Sequence, residues 1–222
     1  MIPIEIPSQL PAAAVYDARA DEYDGWFDEN DGLCRAELAA VEQLLTPIRA
    51  AAGDHGLEIG VGTGRFAGPL GIGRGVEPAP AMAARARERG IEVVEGIAEQ
   101  LPHDDDSFAF TAFITSLCFV TDAVQALREA RRVTRDGGWI VVAFLNKGTP
   151  AGAELAATAP TDPYYEHARL RTADEITDLL DRAGYRVAAS RQVVMTEDGP
   201  VVRPGTDAGL FCVVSARLRS DS

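Results

Sequence analysis

Three closely spaced glycines and two acidic residues make up the part of the sequence best suited to holding a small ligand. Gly60, Gly62 and Gly64 end or follow the apolar run GLEIG, and their missing side chains let a backbone turn lie against a ligand. Glu77 closes the next apolar run, where a carboxylate can accept hydrogen bonds from ribose hydroxyls. Glu58 adds negative charge just before the glycines. These residues predict a nucleotide-binding turn with two acidic contacts.

The dinucleotide fingerprint G-x-G-x-x-G narrows the choice of ligand. It requires a glycine at position 65, where this chain has Arg65. Glu58 would also repel a pyrophosphate, although it suits an ammonium group. We expect a short helix after Gly64, whose first N–H groups favour a carboxylate. S-adenosylmethionine carries a carboxylate, an ammonium group and an adenosine, so the residues favour it over a nicotinamide dinucleotide. A glycine-rich turn with a solvated Glu58 is the structural alternative.

Four segments, in order and with the right spacing, resemble the motifs of class I S-adenosylmethionine-dependent methyltransferases. They read LEIGVGTGRF, GVEPAPAMAARAR, VEGIAEQLPHDDDSFAF and ALREARRVTRDGGWIVV. Within that superfamily they are most similar to the small-molecule group that includes the ubiquinone/menaquinone-biosynthesis enzymes. The resemblance extends over residues 12–146, and the rest of the chain follows the family only in outline. It implies methyl transfer to a small-molecule acceptor.

The resemblance also implies which residues contact the cofactor. Glu58 and the glycine turn would hold its methionine end, Glu77 its ribose, and Thr115 would lie below the methionine moiety. Tyr16 and Tyr23 would close over it from an amino-terminal cap, although core packing is an alternative for both. The implied cofactor contacts are Tyr16, Tyr23, Glu58, Gly60, Gly62, Gly64, Glu77, Pro78, Met82, Ala98, Glu99 and Thr115.

Two positions depart from the family pattern. Relatives often have an aspartate where this chain has Ile97, whose side chain cannot hydrogen-bond the adenine amino group. Adenine recognition would therefore depend on backbone groups near Ala98. Many relatives carry a histidine after the fourth strand, where Phe119 cannot act as a base. This substitution keeps open the alternative of a non-catalytic protein that binds the cofactor.

Methyl transfer from a sulfonium is an in-line displacement in which the protein mainly aligns and desolvates the reactants. An alcohol or amine acceptor usually needs a general base, whereas a thiol or acidic phenol can react without one. His167 is the candidate base, because it lies in the segment 147–171, where this fold often builds a substrate lid. A surface histidine is the alternative, so the catalytic residue stays unassigned. Tyr164 and Tyr165 could line an apolar pocket in the same segment. The acidic triplet 104–106 is expected to face water, and we predict no metal.

The elements that must position these residues alternate between strands and helices. Five apolar runs predict strands at 56–60, 74–78, 91–96, 107–117 and 139–145. Helices are predicted within 12–30, at 35–52 with a kink at Pro47, at 81–90, at 122–138 with a glycine C-cap, and at 172–185 with a Thr172–Glu175 capping box. Two closing strands, 186–195 and 208–218, are expected to form a hairpin, and the segment between the fifth strand and the last helix is expected to be irregular.

This alternation predicts an α/β, Rossmann-like fold with a mostly parallel seven-stranded sheet, an antiparallel closing hairpin and helices on both faces. Ligands bind such sheets at the carboxyl ends of the strands, which is where the glycine turn falls. We expect residues 1–222 to form a single methyltransferase domain, with a cap at 1–30 and a lid at 147–171.

Composition excludes several classes of function. The net charge of −13 argues against nucleic-acid and anionic membrane surfaces. No apolar run approaches the roughly 18 residues that span a bilayer, and the amino terminus lacks a basic signal region. Three cysteines without metal-ligand spacing indicate free thiols. We therefore expect a soluble cytoplasmic protein with a small-molecule substrate.

Overall fold

The computed structural model describes residues 10–219, which fold into seven α-helices and eight β-strands. The helices are α1 (Pro11–Ala18), α2 (Ala20–Glu29), α3 (Asp31–Ala52), α4 (Pro80–Glu88), α5 (Ala123–Val133), α6 (Pro150–Thr158) and α7 (Ala173–Arg182). The strands are β1 (Gly56–Ile59), β2 (Arg74–Glu77), β3 (Glu92–Glu95), β4 (Phe108–Ile114), β5 (Thr134–Leu145), β6 (Tyr185–Thr196), β7 (Gly199–Pro204) and β8 (Phe211–Leu218). No helix of this part of the chain is long and apolar enough to cross a membrane.

All eight strands form one sheet in the order β3-β2-β1-β4-β5-β8-β6-β7. The first five strands are parallel, whereas β8 runs antiparallel to both β5 and β6. The predicted α/β, mostly parallel fold is therefore confirmed, with one strand more than expected. The extra strand, β7, forms the edge hairpin with β6 and separates it in sequence from β8. This strand was not predicted, because it contains Pro200 and Pro204. Proline lacks an N–H and is therefore found in strands mainly at an edge, where no ladder hydrogen bond is lost.

Helices cover both faces of the sheet, and alternate residues of each strand point to opposite faces. On one face, Phe110 of β4 and Val141 of β5 pack in a buried cluster with Leu45 of α3. On the other, neighbouring strand residues such as Ile140 pack in a second cluster that includes Leu127 of α5. This two-residue alternation is what a sheet buried on both faces requires.

Helix α3 brings its first turns to the carboxyl edge of the parallel strands. It ends at Ala52, only a few residues before β1 begins at Gly56, and its Leu44 and Ile48 are buried in the sheet-facing cluster. Asp31 and Cys34 of its first turns line a groove together with Arg65, which follows the glycine turn. The first turns of α3 therefore lie at the same edge as that turn.

The segment after the glycine turn is not the predicted helix. Residues 62–71 form successive turns, with helical hydrogen bonds only from Gly68 N to Gly64 O (3.0 Å) and from Leu70 N to Phe66 O (3.1 Å). Pro69 has no N–H to continue the pattern, and the glycines weaken it further. A helix dipole therefore does not act on the glycine turn.

Two further expectations are corrected. Helix α5 ends at Val133 without a glycine C-cap, because Thr134 already begins β5 and Gly138 lies within that strand. The segment after β5 was expected to be irregular, but it contains α6 and a 3-10 helix, Ala159–Thr161. Thr149 caps α6 through Gly152 N, and Pro150 occupies the favoured first helical position. The part of the predicted cap at residues 1–9 lies outside the described residues.

The capping box of α7 is confirmed and gives a stability prediction. Thr172 Oγ1 accepts from Glu175 N, and Glu175 Oε2 accepts from Thr172 N. Thr172→Ala should lower the free energy of unfolding by about 1 kcal/mol, since it removes an N-cap acceptor. Urea unfolding measures this loss. Thr177→Ala, at an exposed position of the same helix, should change stability by no more than about 0.5 kcal/mol. Equal losses in the two variants would contradict the capping role.

Candidate functional site

A cavity opens at the carboxyl edge of β1, β2 and β4. The space inside it, together with the solvent at its open mouth, amounts to about 850 Å³. Ten of the twelve residues singled out in the sequence line it, namely Tyr16, Tyr23, Gly60, Gly62, Glu77, Pro78, Met82, Ala98, Glu99 and Thr115. The fold therefore brings residues from the cap, the glycine turn and three strand ends to one place.

Glu58 and Gly64 do not line this cavity. Glu58 is only 2% exposed, directly before the lining residue Ile59, and its Oε2 has no hydrogen-bond partner among residues 10–219. Burial, followed by the charge of Glu77, raises its pKa well above the ordinary value. A Cβ at position 64 would lie 2.5 Å from Cδ1 of Ile91. Gly64 also has a φ of +82°, so a side chain at this position would strain the backbone behind the turn.

Glu77 holds the glycine turn in place. Gly62 N donates to its Oε2 over 2.8 Å, and Ala79 N donates to its Oε1 over 3.0 Å. Burial raises the pKa of Glu77 to about 7, although these two N–H groups oppose the shift. Each carboxylate oxygen keeps a further lone pair for a ligand.

The turn also fits tightly against the loop after β4. A Cβ at position 60 would lie 2.5 Å from Cβ of Ser116, and Ser116 Oγ donates to Ile59 O over 2.5 Å. Thr115 adopts a φ of +54°, which is strained for a β-branched residue. Gly60 is needed for this close approach, and the strained Thr115 directs the backbone across the floor of the cavity.

An aromatic cluster at the cavity mouth joins three parts of the chain. The ring of Tyr16 lies 5.5 Å from that of Tyr23, 5.2 Å from Phe119 and 5.6 Å from Tyr164 between centroids. Tyr16 Oη also donates to Tyr164 O over 3.1 Å. The cap, the loop after β4 and the segment after α6 therefore meet over the cavity.

A charged cluster fastens the cap to the glycine turn. Asp24 of α2 is 8% exposed and accepts from Thr63 Oγ1 (2.7 Å), Arg65 Nε (2.8 Å) and Arg89 Nη2 (2.5 Å). Arg65 also donates to Asp24 O and to Asp28 Oδ1. Burial alone would raise the pKa of Asp24, but these side-chain hydrogen bonds lower it overall. The arginine in place of the third glycine thus positions the cap, a role that the sequence analysis missed.

No histidine lines the cavity in the described part of the chain. His167 is 40% exposed, lies 3.5 Å from Glu166 and is not one of the lining residues. His55 and His103 both pack against Phe108 near the amino edge of the sheet. Cys118 Sγ donates to Thr115 O, and burial raises its pKa to about 12. None of these groups presents a base to the cavity as it stands.

Comparisons with known proteins identify the family. A family model described as a methyltransferase domain matches residues 57–142. A Thermotoga maritima structure, described as an S-adenosylmethionine-dependent methyltransferase and possible histamine N-methyltransferase, is 34% identical with a TM-score of 0.87, over 93% of this chain and 99% of that one. Methyltransferase GfsG of Streptomyces halstedii is 30% identical, over 83% of this chain and 73% of its own. The chain belongs to the S-adenosylmethionine-dependent methyltransferases.

Other relatives of this methyltransferase differ in how much of the chain they match. An uncharacterized protein of Methanocaldococcus jannaschii is 34% identical over 91% of this chain and 98% of its own length. The ubiquinone/menaquinone biosynthesis C-methyltransferase of Hahella chejuensis is 46% identical, but over only 59 residues, 27% of this chain. The predicted superfamily is therefore confirmed, and the likeness to the quinone-biosynthesis enzymes is partial.

The cofactor of this methyltransferase is S-adenosylmethionine, and the cavity fits that molecule. The partnerless Glu58 carboxylate is the kind of buried group that an ammonium ion satisfies. The Glu77 carboxylate has lone pairs left for hydroxyl groups. Pro78, Met82 and Ala98 provide an apolar wall for a planar base. No group of three or more potential metal ligands occurs within residues 10–219.

Glu37 is a buried acid that the sequence analysis passed over. It is 8% exposed, on the same face of α3 as the buried Val41 and Leu44. It forms no hydrogen bond or ion pair with residues 10–219, and burial raises its pKa from 4.5 to about 8. The signal was present in the sequence, because a glutamate four residues before Val41 interrupts an otherwise apolar helical face.

The raised pKa of Glu37 makes stability depend on pH. Between about pH 5 and 8 the folded protein keeps a proton on Glu37 that the unfolded chain has lost. Its contribution to the free energy of unfolding therefore falls as pH rises through this window. Glu37→Gln should gain stability over the wild type progressively from pH 5.5 to 8.5, as measured by urea unfolding without cofactor. The exposed Glu29→Gln should show no such trend, and parallel profiles for wild type and Glu37→Gln would contradict the assignment.

The Asp24 cluster predicts how the cap is held. Arg65→Met removes donors to Asp24 and Asp28, and should lower the free energy of unfolding by about 1–3 kcal/mol. Cleavage within residues 10–30 should become faster in limited proteolysis. Arg35→Met removes only an exposed ion pair with Asp31 and should leave the cleavage rate unchanged. Wild-type protection of the cap in Arg65→Met would refute the fastening role.

Proposed function

We propose that this methyltransferase transfers the methyl group of S-adenosylmethionine to a small-molecule acceptor. The observation that carries the proposal is the contact of Tyr16 with Phe119 and Tyr164, which places aromatic rings at a cavity lined by Tyr16 and Phe119. The net charge of −13 is unfavourable for a nucleic-acid acceptor. The Thermotoga maritima relative, whose description names a small amine as its possible acceptor, gives further support.

In this proposal, two acidic residues contact different parts of the cofactor. Glu58 meets the ammonium group at the methionine end, since its buried Oε2 otherwise has no partner. Glu77 receives the ribose hydroxyls while its bonds from Gly62 and Ala79 fix the turn. The backbone from Gly60 to Gly62 lies against the methionine moiety, and Gly64 supports it from behind.

The adenine is assigned to the apolar wall and the segment after β3. Pro78 and Met82 pack against the base, and the backbone near Ala98 borders its edge. The carboxylate of Glu99 accepts from Thr121 N (2.7 Å) and Asp122 N (3.2 Å), so its contribution is to hold the nearby loop. The side chain of Ile97 offers no hydrogen bond, as expected from the sequence.

The protein's share in the reaction is alignment and exclusion of water. The cofactor, when bound, supplies the electrophilic methyl group and a neutral leaving group. Thr115 lies below the methionine moiety, and Tyr16 and Tyr23 cover it, with residues 10–30 acting as the cap and 147–171 as the lid of a single domain. Desolvation by these aromatic groups strengthens the electrostatic interactions around the methyl group.

A non-catalytic cofactor-binding protein is the second candidate, because Phe119 packs on Tyr16 where relatives often have a histidine. Calorimetry with S-adenosylmethionine, S-adenosylhomocysteine and NADH tests the cofactor, and labelled S-adenosylmethionine tests transfer to phenols, thiols, amines and fatty acids. We expect S-adenosylhomocysteine to bind and at least one acceptor class to be labelled. Tight cofactor binding without any transfer would favour the second candidate. NADH binding without S-adenosylhomocysteine binding would contradict both.

The ribose assignment has its own test. Glu77→Ala should weaken S-adenosylhomocysteine binding by about 1–3 kcal/mol, because it removes charge-assisted hydrogen bonds and frees Gly62 N. Calorimetric titration measures the change. Glu95→Ala is the matched control, since Glu95 pairs with Glu77 in register on β3 but is exposed. Unchanged affinity in Glu77→Ala would refute the assignment.

A further inference from the structure

A second, smaller cavity lies at the carboxyl ends of β4 and β5. Its lining comes from the loop after β4, the last residues of β5, the segment 169–171 and Ile176 of α7. The space inside it, together with the solvent at its mouth, amounts to about 240 Å³, which suits one functional group of a ligand rather than a whole substrate. Thr115 lines this cavity and also the larger one. The two spaces therefore adjoin at Thr115.

The order of the strands places the second cavity beside the reactive end of the cofactor. The proposed cofactor contacts lie at the ends of β1 and β2 and on the segment after β3, whereas β4 and β5 follow β1 on the side away from β2. Thr115, which lies below the methionine moiety in the proposed function, stands where the two sides meet. An acceptor that approaches the methyl group from the side of β4 and β5 therefore reaches the second cavity.

Two arginines line the second cavity, and hydrogen bonds to the backbone hold both in place. Arg171 Nη1 donates to Leu117 O over 3.2 Å and to Arg169 O over 3.1 Å. Arg169 Nη1 donates to Thr121 O over 3.1 Å, and Arg169 N donates to Cys118 O over 2.8 Å. The end of the lid is thus fastened to the loop after β4, and both guanidinium groups are positioned at the cavity before any ligand binds.

The positive charge of these arginines has no acidic partner. Neither Arg169 nor Arg171 forms an ion pair with residues 10–219, and Nε and Nη2 of Arg171 form no hydrogen bond there. Glu175 attracts Arg171, but its carboxylate already accepts from Lys147 Nζ (2.9 Å) and Thr172 N (2.7 Å). Burial lowers the pKa of Arg171, so water solvates this cation poorly. A half-buried cation with free donors favours an anionic ligand.

We propose that the second cavity is an anion subsite in which Arg171 binds a carboxylate group of the methyl acceptor. This inference rests on the proposed methyl transfer to a small molecule. Nε and Nη2 lie on one edge of the guanidinium group, and that edge can donate two parallel hydrogen bonds to a carboxylate. Arg169 adds a second positive charge at the same cavity. The carboxylate fills the cavity, and the rest of the acceptor extends past Thr115 toward the methyl group.

The remaining lining residues agree with a carboxylate. Leu117, Leu170 and Ile176 are apolar, and apolar surroundings strengthen the attraction between a guanidinium group and an anion. Cys118 keeps its proton, because burial raises its pKa to about 12, so no thiolate repels the ligand. An ammonium group would instead meet two arginines. A phosphate ester shares the arginine chemistry and is distinguished by experiment.

Matched ligands test the subsite directly. Phenylacetate and butyrate are titrated into protein saturated with S-adenosylhomocysteine, each alongside its primary amide and the phosphate ester of similar skeleton, benzyl phosphate or propyl phosphate. We expect at least one carboxylate to bind at least about tenfold more tightly than its amide, since a charge-assisted hydrogen bond is worth that much, and more tightly than its phosphate ester. Failure of both carboxylates to bind, equal binding of the amides, or tighter binding of the phosphate esters would overturn the proposal.

Variants then separate this subsite from the cofactor site. Arg171→Gln should weaken the carboxylate at least about tenfold and leave the affinities for its amide and for S-adenosylhomocysteine unchanged. The S-adenosylhomocysteine affinity also shows that the variant is folded. Arg171→Lys, which keeps the charge but not the planar fork, should fall between Arg171→Gln and the wild type.

The control is Arg182→Gln, which removes one positive charge from the exposed far end of α7 and should match the wild type for every ligand. Unchanged carboxylate affinity in Arg171→Gln, or an equal loss in Arg182→Gln, would overturn the subsite while leaving the proposed function intact. Absence of S-adenosylhomocysteine binding in the wild type would overturn the proposed function, and the subsite with it.

Discussion

The buried carboxylate of Asp24 is the interaction on which the site depends. It lies in the cap, yet its three side-chain donors come from the glycine turn and the end of α4. A carboxylate buried this deeply is costly unless it is paired and fully hydrogen-bonded, so α2 is held in one position. That position in turn sets Tyr23 and Tyr16 over the cavity. A single ionic cluster therefore connects the shape of the glycine turn to the closure above it.

Three other buried acids lack the basic partners that Asp24 has. Glu37, Glu58 and Glu77 are buried without any arginine or lysine partner within residues 10–219, and their pKa values are raised. Asp24 is satisfied inside the protein, but these three are satisfied only in part. Unpaired buried acids lower stability above neutral pH and raise affinity for cationic ligands. A cation bound near these acids would therefore stabilise the folded protein, which agrees with a positively charged cofactor.

The sequence predicted most of the fold and of the cofactor cavity because those features depend on local patterns. The strand–helix alternation, the Thr172 capping box and the Gly60–Glu77 turn all arise over short distances in the chain. The missed features depend on partners far apart in sequence, such as Arg65 with Asp24, 41 residues away. Local patterns also gave wrong results where contacts between distant parts of the chain decide the structure. The edge strand β7 contains two prolines and was not predicted, and Gly64, expected to contact the cofactor, lies against Ile91 instead. Glu37 interrupts the apolar face of α3 in the sequence, but only the structure shows that its side chain is buried.

The hydrogen bond from Tyr16 Oη to the Tyr164 carbonyl has a consequence for the order in which ligands bind. It joins α1 to the segment after α6 beside the cavity that Tyr16 lines, so a large ligand passes this point more readily when the bond is broken. If the acceptor of the proposed reaction binds above the cofactor, we expect the cofactor to bind first and its product to dissociate last.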